Sequence, residues 1–503
     1  MKLIKKTLIS LFFLTTITAC ALWALTYTIT PEEFKDLLNQ KLAEFTEQPS
    51  HIEGNISWQL FPRPGLKIST VKIGGKQIEN NYSLAIDNML FNLQITPLLR
   101  GKLVFNELLM DGVTLNINPE TRHTRVLNRA ATSKAPNKTL PASFSIENFL
   151  LTRGQVVVSH PQNNLAVTDL QIGANQLNFQ NKQFPVQLKG NLLLLSNTKE
   201  SLKANINFKG RTQLTPAFFI EPLNTIQNTA THGQILIQDA QYKRLKIAKI
   251  NANAILKTGT LRLNPLNLTL YNGESVGDLS FHIASKKFAV NQTATGIKST
   301  PLSKALWGEQ LIKGTMDFSI HATGTLPVQN ILDHVQASGH IMIRDGALCF
   351  VDIHQMVKDI PNTIHSMLTA PKSNETLQKT YEGRTKFKLL SMHYDVKNNP
   401  LFNDSFLLQT EEMQINGKGR MNLKDRSIDN ELSAKLIQPE PMMDKIQQIL
   451  NGNLPLKLTG PIMQPLIVPN MQKISPLLTQ FFLKQSIDKP LKQLKAEIMS
   501  LFT

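Results

Sequence analysis

Apolar and polar residues alternate along most of this chain from Ile52 onward, and this pattern constrains its fold more than any other feature of the sequence. Successive side chains on a strand point to opposite faces, so a period of two gives a sheet one apolar and one polar face. The clearest alternating groups are Leu66/Ile68, Phe91/Leu93/Ile95, Val156/Val158, Leu261/Leu263, Leu268/Leu270 and Met421/Leu423. Asn, Asp and Gly at many of the breaks are typical of turns. We therefore predict a mainly β protein.

A short unit of sequence recurs along the chain. Residues 105–113 contain Leu-Leu-Met-Asp-Gly-Val, residues 147–156 contain Leu-Leu-Thr-Arg-Gly-Gln-Val, and a looser copy lies near Asp345-Gly346. Repetition of a strand-turn-strand unit is typical of an elongated sheet. The alternative is that similar hairpins arise by chance from a biased set of residue types.

The residues from Thr7 to Ile29 form an uncharged run of 23 residues. A membrane core about 30 Å thick requires roughly 20 apolar residues in a helix, so this run predicts a membrane-spanning helix at 7–29. Lysines precede the run and none lies inside it, which predicts that residues 1–6 are cytoplasmic and residues 30–503 are not. Two alternatives remove the helix: lipoprotein processing at Cys20, or cleavage as an ordinary signal peptide.

Helical patterns are few. Thr30-Pro31 supplies a cap and a first-turn proline, which predicts an amphipathic helix at 31–48. Thr300-Pro301 begins a short apolar piece, and the stretch from Asp352 to about Tyr381 has helical spacing that prolines interrupt. At the C-terminus, residues 471–503 predict an amphipathic helix that caps a sheet edge or touches a second membrane.

The composition narrows the classes of partner. Hydrophobic residues make up 41% and charged residues 18% of the chain, as in ordered proteins, and the formal net charge is +17. Basic charge outside the cytoplasm suits anionic phospholipid or lipopolysaccharide, or forms a solvated surface without a ligand. Nucleic acid is not expected, because the lysines are scattered rather than interleaved with aromatic residues. Cys20 lies in the predicted span, so Cys349 has no partner for an intrachain disulfide.

Sequence motifs of enzymes are nearly absent. There is no His-Glu-x-x-His, no Cys-x-x-Cys and no glycine-rich phosphate loop. Residues 273–277 fit the Gly-x-Ser-x-Gly elbow of hydrolases, but that elbow needs a helix after the serine. Alternation at Leu279 and Phe281 instead predicts that Ser275 sits in a hairpin turn. His354 and His365 are predicted to be solvated or core histidines, and we expect no catalytic residue, no metal and no cofactor.

The segment at residues 54–66, Gly-Asn-Ile-Ser-Trp-Gln-Leu-Phe-Pro-Arg-Pro-Gly-Leu, resembles the AsmA family of Gram-negative envelope proteins. Further blocks follow in the family's order at residues 97–113, 259–273, 345–348, 417–419 and 454–465. The motif residues in these blocks are Gly54, Trp58, Pro62, Gly65, Gly112 and Gly273. Two positions depart from the pattern: Gln48-Pro49 replaces a frequent Thr-Gly pair, and Cys349-Phe350 stands where a glycine is common.

The resemblance implies an inner-membrane-anchored, single-pass periplasmic protein that supports outer-membrane biogenesis. It divides the rest of the chain into an N-terminal region at 30–130, a central β region at 143–345 and a C-terminal region at 346–470. AsmA-like proteins are similar to the chorein-type bridges of eukaryotes, in which a curved sheet forms an apolar trough for lipid tails.

The expected fold is therefore an elongated, curved antiparallel sheet, or β-groove, with an N-terminal transmembrane helix and a few capping helices. A closed sandwich with an ordinary core is the alternative. The candidate lipid-facing residues are Leu261, Leu263, Leu268 and Leu270. Two functions follow: carriage of phospholipid or lipopolysaccharide between membranes, or a non-transporting scaffold for other envelope proteins.

Overall fold

The structure is a computed structural model, and the residues that it describes form 22 strands and few helices. The described residues are 35–36, 39–40, 49–59, 65–74, 82–93, 105–117, 145–160, 163–196, 199–215, 217, 229–326, 333–362, 381–462 and 464–485. The chain divides into two compact units, the first made of residues 1–243 and 249–261 and the second of residues 244–248 and 262–503. The prediction of a mainly β protein is confirmed.

The first unit is a sheet in which neighbours in sequence are mostly neighbours in space. Its strands are β1 (Ser50–Ile52), β2 (Ile56–Gln59), β3 (Gly65–Ile73), β4 (Tyr82–Leu93), β5 (Phe105–Ile117), β6 (Ser145–His160), β7 (Asn163–Asn178), β8 (Phe184–Ser196), β9 (Lys199–Thr212) and β10 (Thr231–Tyr242). Strands β1 and β2 both pair with β3, and the ladder then runs in chain order from β3 to β10. Strand β11 (Leu245–Lys257) has residues in both units.

The predicted antiparallel arrangement is wrong at one pair, because β5 and β6 are parallel. These two strands carry the recurring sequence unit, and they lie side by side with Met110 opposite Leu151 and Asp111 opposite Thr152. Parallel neighbours need a connection of a dozen or more residues, and residues 118–144 are long enough to supply it. The two copies of the recurring unit therefore lie side by side in one sheet.

The second unit alternates a strand ladder with short helices. Its elements are β12 (Thr260–Leu270), which begins in the first unit, β13 (Gly273–His282), β14 (Lys287–Lys298), α1 (Ser299–Trp307), β15 (Ile312–Thr325), β16 (Val335–Leu348), α2 (Ile353–Lys358), β17 (Thr385–Lys397), β18 (Leu401–Gln409), β19 (Met413–Asn422), β20 (Ser427–Leu436), α3 (Pro441–Ile449), β21 (Leu454–Pro461), β22 (Leu466–Pro469) and α4 (Met471–Gln485). From β13 to β22 each strand pairs antiparallel with the next.

The helices agree with the sequence patterns in most places. Helices α1 and α2 lie where the apolar spacing predicts them, and α4 occupies residues 471–485 of the segment predicted as a helix at 471–503. Residues 35–36 and 39–40 are helical within the segment predicted at 31–48. Helix α3 was not predicted, although Pro441 at its first turn is a helix-start signal. The predicted span at 7–29 and residues 486–503 lie outside the described residues.

A line of backbone irregularities crosses β3 to β7 and changes the alternation. Thr70, Gly112, Arg153 and Asp169 all have positive φ angles. Gly112 has φ +68, and a Cβ there would collide with the Asp87 side chain on the neighbouring strand. Buried residues on either side of the line are therefore three positions apart instead of two, as in the pairs Ile68/Val71, Ile86/Met89 and Met110/Val113.

Asp345 lies beside Gly346, a pair that is typical of turns, but it does not form a turn here. It lies inside β16 with φ 49, where two residues of β16 oppose Gly314 of β15. This arrangement is a β-bulge, in which one extra residue bends the strand without ending it. An Asp-Gly pair reads as a turn in sequence because both residues tolerate the left-handed region.

Helices α2, α3 and α4 bury part of the apolar face of the second unit. The shared core contains Val357 from α2, Ile446 from α3 and Ile474 from α4, together with Leu408 and Ile415 from the sheet.

We predict that Ile415→Ala, at a side chain that is 1% exposed, lowers the free energy of unfolding by about 2–5 kcal/mol because it leaves a cavity. Denaturant titration of the purified chain measures it. Ile437→Ala is the control, since Ile437 is 53% exposed, and an equal loss there would contradict the assigned core.

Candidate functional site

One face of the first unit carries continuous rows of apolar side chains across eight strands. Each row joins residues that face one another across neighbouring strands, so it runs perpendicular to the strands. The central row consists of Ile68, Met89, Met110, Leu151, Ile172, Leu188, Phe208 and Ile235. A second row consists of Ile117, Val158, Leu165, Leu194, Leu202 and Tyr242. We call these rows and the apolar residues between them the unit 1 apolar face.

Burial on this face decreases along the row. Ile68 and Met89 are buried, whereas Leu188, Phe208 and Ile235 are half-buried. In the second row Leu165 is 37% exposed and Tyr242 is 49% exposed. No helix or second sheet from the described residues covers the face on β8 to β10 within this unit. Apolar area that water reaches costs free energy, so this half of the face is suited to an apolar ligand.

The opposite face of the same strands is mostly polar, although it includes Leu193 and Leu236. Beside the central row, its residues on β8 to β10 form cross-strand rows of Gln187, Lys209 and Gln234, and of Asn191, Asn205 and Gln238. Asn191 donates to Asp169 at 2.8 Å, and such side-chain bonds join the strands on the side that faces water. On β8 to β10, where the unit 1 apolar face is least covered, the sheet therefore has one apolar side and one mostly polar side.

An ion pair secures the parallel pair β5 and β6 on the polar side. Asp111 accepts hydrogen bonds from Arg153 Nε at 2.8 Å and from Thr152 Oγ1 at 2.8 Å. The bond from Arg153, and then that from Thr152, lowers the pKa of the Asp111 carboxyl to about 2. Both side chains are exposed, so the pair fixes strand position more than it adds stability.

The apolar face of the second unit is covered at one end. A row of Ile343, Leu390, Leu408, Ile415, Ala434 and Leu454 is fully buried beneath the helices. Farther along the strands, the row of Ala322, Ala337, Val396, Leu401, Met421 and Ile428 includes half-buried members. This unit therefore combines an ordinary core with a less covered apolar region.

Polar side chains interrupt this second face between the two rows. Gln292 is buried and accepts from Ser275 Oγ at 2.6 Å, and Tyr394 donates to the carbonyl of Ser319 at 3.0 Å. Burial raises the pKa of the Tyr394 hydroxyl to about 12, so it remains a neutral donor. The apolar region of the second unit is consequently less uniform than the unit 1 apolar face.

The four predicted lipid-facing leucines all lie on β12 but not in one environment. Leu268 and Leu270 pack in the core of the second unit. Leu263 is half-buried, and Leu261 is a half-buried residue of the first unit. The pattern of burial shifts by one residue at Asn264-Pro265, which makes Leu266 a buried position that the sequence analysis missed.

The described motif residues occupy structural positions in strands or, for Gly54, in the bend between β1 and β2. Gly54 lies beside Ser69, and Gly65 begins β3 beside Phe91. Gly273 begins β13, where a Cβ would come within 2.5 Å of the backbone nitrogen of Ile297, so only glycine permits the approach of β14. Trp58 lies on β2 opposite Leu66, and Pro62 is outside the described residues.

Ser275 lies inside strand β13 and not in the predicted turn. The turn is Tyr271-Asn272, which ends three residues before Ser275, and Ser275 pairs with Ala294 of β14. Because β13 continues to His282, the strand-turn-helix geometry of a hydrolase elbow is not formed here.

His354 Nδ1 lies 3.0 Å from Glu412 Oε2, and His365 is outside the described residues. The part of the chain that the structure describes contains no group of three or more His, Cys, Asp or Glu that could hold a metal.

Two histidines stack on the polar face of the second unit. His340 of β16 faces His393 of β17 with ring centroids 4.5 Å apart. His340 Nε2 lies 3.0 Å from Ser391 Oγ, and His393 Nδ1 lies 2.9 Å from Ser405 Oγ. Burial, and then repulsion from His393, lowers the pKa of the His340 imidazole below 6.5. The folded unit therefore favours the neutral form of His340.

We predict that this unit loses stability as the pH falls below about 6.5, since the unfolded chain binds a proton that folded His340 resists. The loss is complete only when the pH has passed below the lowered pKa. Thermal unfolding between about pH 7 and about pH 5 measures it, and His340→Gln should flatten the dependence. His232→Gln, at an exposed histidine of β10, is the control and should leave the slope unchanged.

Comparison with known proteins decides the family. The model of the AsmA family matches residues 1–239 and 187–398. The chain belongs to the AsmA family. No curated protein and no solved structure matches it. Among the described residues no helix is long and apolar enough to cross a membrane, and the predicted span at 7–29 lies outside them.

The two AsmA matches overlap at residues 187–239, which carry most of β8, all of β9 and most of β10. These are the strands on which the unit 1 apolar face is least covered. The blocks that resemble the family at 417–419 and 454–465 lie beyond the matched residues and stay predictions. The AsmA family is thus assigned on the part of the chain that includes the candidate site.

We predict that a charge is tolerated at one end of the unit 1 apolar face and not at the other. Phe208→Lys should shift the thermal transition little, because a half-buried lysine keeps its ammonium group in water. Ile68→Lys should unfold the unit, since Ile68 is 1% exposed and an unpaired buried charge costs roughly several kcal/mol. Calorimetry of both variants tests this, and equal destabilisation would mean that the face is a closed core throughout.

Proposed function

We propose that this AsmA-family protein carries phospholipid between the inner and outer membranes, with the acyl chains on the unit 1 apolar face. The observation that carries the proposal is the half-buried apolar surface on β8 to β10, which includes Leu188, Phe208 and Ile235. Family membership supports a role in the cell envelope. Residues 7–29 would anchor the chain in the inner membrane, and the bulk of it would work in the periplasm without catalysing a reaction.

The chemistry of the face supports acyl chains as the ligand. Its rows contain aliphatic and aromatic side chains without a charge, so they offer dispersion contacts and no ion pair. The polar reverse face keeps the sheet soluble while the apolar face holds lipid. Because the rows run perpendicular to the strands, lipid could pass from strand to strand along a continuous apolar path. Phospholipid and lipopolysaccharide share acyl chains, and phospholipid is the proposed cargo.

A scaffold for other envelope proteins is the second candidate. The observation that favours it is the helix-covered end of the second unit, where α2, α3 and α4 make a closed core that leaves no path for lipid. A scaffold would use its surfaces for protein partners, and the unit 1 apolar face would then be a protein-binding surface.

Crosslinking at two adjacent positions on β10 distinguishes the candidates. Ile235 lies on the apolar face and Gln234 on the polar face of the same strand. A photoreactive benzoylphenylalanine at 235 in living cells should capture phospholipid labelled with radioactive phosphate, whereas the same residue at 234 should not. An adduct with the mass of lipopolysaccharide would change the cargo, and a protein adduct at 235 would favour the scaffold.

Blocking the path provides the functional test. Ile235→Lys should fold, bind less phospholipid and fail to replace the wild-type protein in the cell, because acyl chains that cover the lysine must displace water from its charged ammonium group. Gln234→Lys adds the same charge to the other face and should retain function. If the two variants behave alike while both remain folded, the unit 1 apolar face does not carry lipid.

A further inference from the structure

Helix α1 of the second unit exposes two large apolar side chains in succession. Leu306 is 53% exposed and Trp307 is 39% exposed at the C-terminal end of this helix. Other exposed large apolar residues of this unit stand singly on separate elements, as Val276, Leu326, Phe402 and Ile437 do. A soluble surface rarely displays a tryptophan beside a leucine without a use for them.

The helix holds these side chains in a fixed position. Its other end is buried through Ser299, whose Oγ donates to the carbonyl of Gly314 at 2.9 Å, and Leu302 packs against the core of the unit. At the C-terminus Gly308 has φ 91, and its N–H donates to the carbonyl of Lys304 at 2.9 Å. Leu306 and Trp307 are thus presented by a rigid element and are not part of a loose loop.

Two basic residues lie at this exposed end. The guanidinium of Arg244 lies against Gly308, where a Cβ would come within 2.6 Å of Nη1. Lys304 is exposed on the last turn of the helix itself. Lys298 lies at the opposite end of the helix.

Carboxylates are fewer here than cations. Glu309, directly after the helix, is exposed. Neither Arg244 nor Lys304 makes an ion pair with a carboxylate among the described residues. The local charge is therefore positive, in keeping with the net charge of +17 for the whole chain.

We propose that the Leu306-Trp307 end of α1 docks on the surface of an anionic bilayer. Tryptophan favours the membrane–water interface because its ring is apolar and its indole N–H is polar, and leucine favours the acyl region just beneath. Lysine and arginine beside them attract lipid phosphates, each by an amount that changes affinity roughly fivefold. Charge complementarity selects an anionic lipid surface over an apolar groove in a protein. The inference goes beyond lipid carriage, since a scaffold could use the same contact.

Fluorescence of Trp307 gives a direct test on the full chain. With Trp23→Phe and Trp58→Phe, Trp307 is the sole tryptophan, and the protein is held in nanodiscs of phosphatidylcholine. Brominated lipid, which quenches tryptophan at short range, is placed either in added vesicles or in the nanodisc itself. We expect quenching in at least one arrangement, and stronger quenching when the brominated bilayer also contains phosphatidylglycerol.

Variants separate the apolar and electrostatic parts. Both variants keep Trp307. Leu306→Ser should weaken vesicle binding roughly tenfold. Lys304→Gln should weaken binding to anionic vesicles roughly fivefold without changing binding to neutral vesicles. Ile437→Ser, at an equally exposed residue on another element, should change neither. Circular dichroism verifies that each variant folds.

Three outcomes would overturn the proposal. The first is no quenching of Trp307 in either arrangement. The second is equal quenching by neutral and anionic bilayers, which would remove the role of the cations. The third is dissociation of an oligomer by Leu306→Ser with vesicle binding unchanged, which would make this end of α1 an interface between protein chains.

Discussion

The removal of apolar side chains from water on one side of a sheet is the constraint on which this structure depends. Alternation gives every long strand an apolar face, and the described residues supply few helices to cover it. In the second unit α2, α3 and α4 cover one end of that face and make a core. In the first unit burial falls from β3 toward β10, and no described helix or strand of the unit replaces the missing cover. The difference between the two units is therefore a difference in cover and not in strand pattern.

The strands were predictable because each one carries its own alternation. Pairs such as Leu66/Ile68 and Val156/Val158 mark strands locally, and the helix at α1 follows from Thr300-Pro301. The sequence identified the motif glycines but not why glycine is needed there. At Gly273 the reason is the close approach of a neighbouring strand. Local patterns thus described the elements well and their spatial relations poorly.

What the sequence could not provide depends on distant parts of the chain. To predict that β5 and β6 are parallel, one must know which strands are neighbours in the sheet. Asp345 carries a sequence signal for a turn but lies inside a continuous strand. Likewise, Ile68 and Phe208 have similar alternating neighbours, yet one is buried and the other half-buried. The candidate leucines on β12 were chosen by alternation alone, which does not distinguish Leu270, a buried core residue, from Leu268, which is partly buried against that core.

The order of the ladder has a consequence for how the chain reaches its structure. From β6 to β10 and from β13 to β22 each strand pairs with the next, so these pairings join strands that follow one another in the chain. A chain that emerges from its N-terminus can add these strands one at a time, but after each addition it presents an open edge on which other chains could aggregate. Strand β22 addresses that hazard at the end of the ladder: it has only four residues, ends at Pro469 and is followed by α4, so it offers little backbone for a further strand to join.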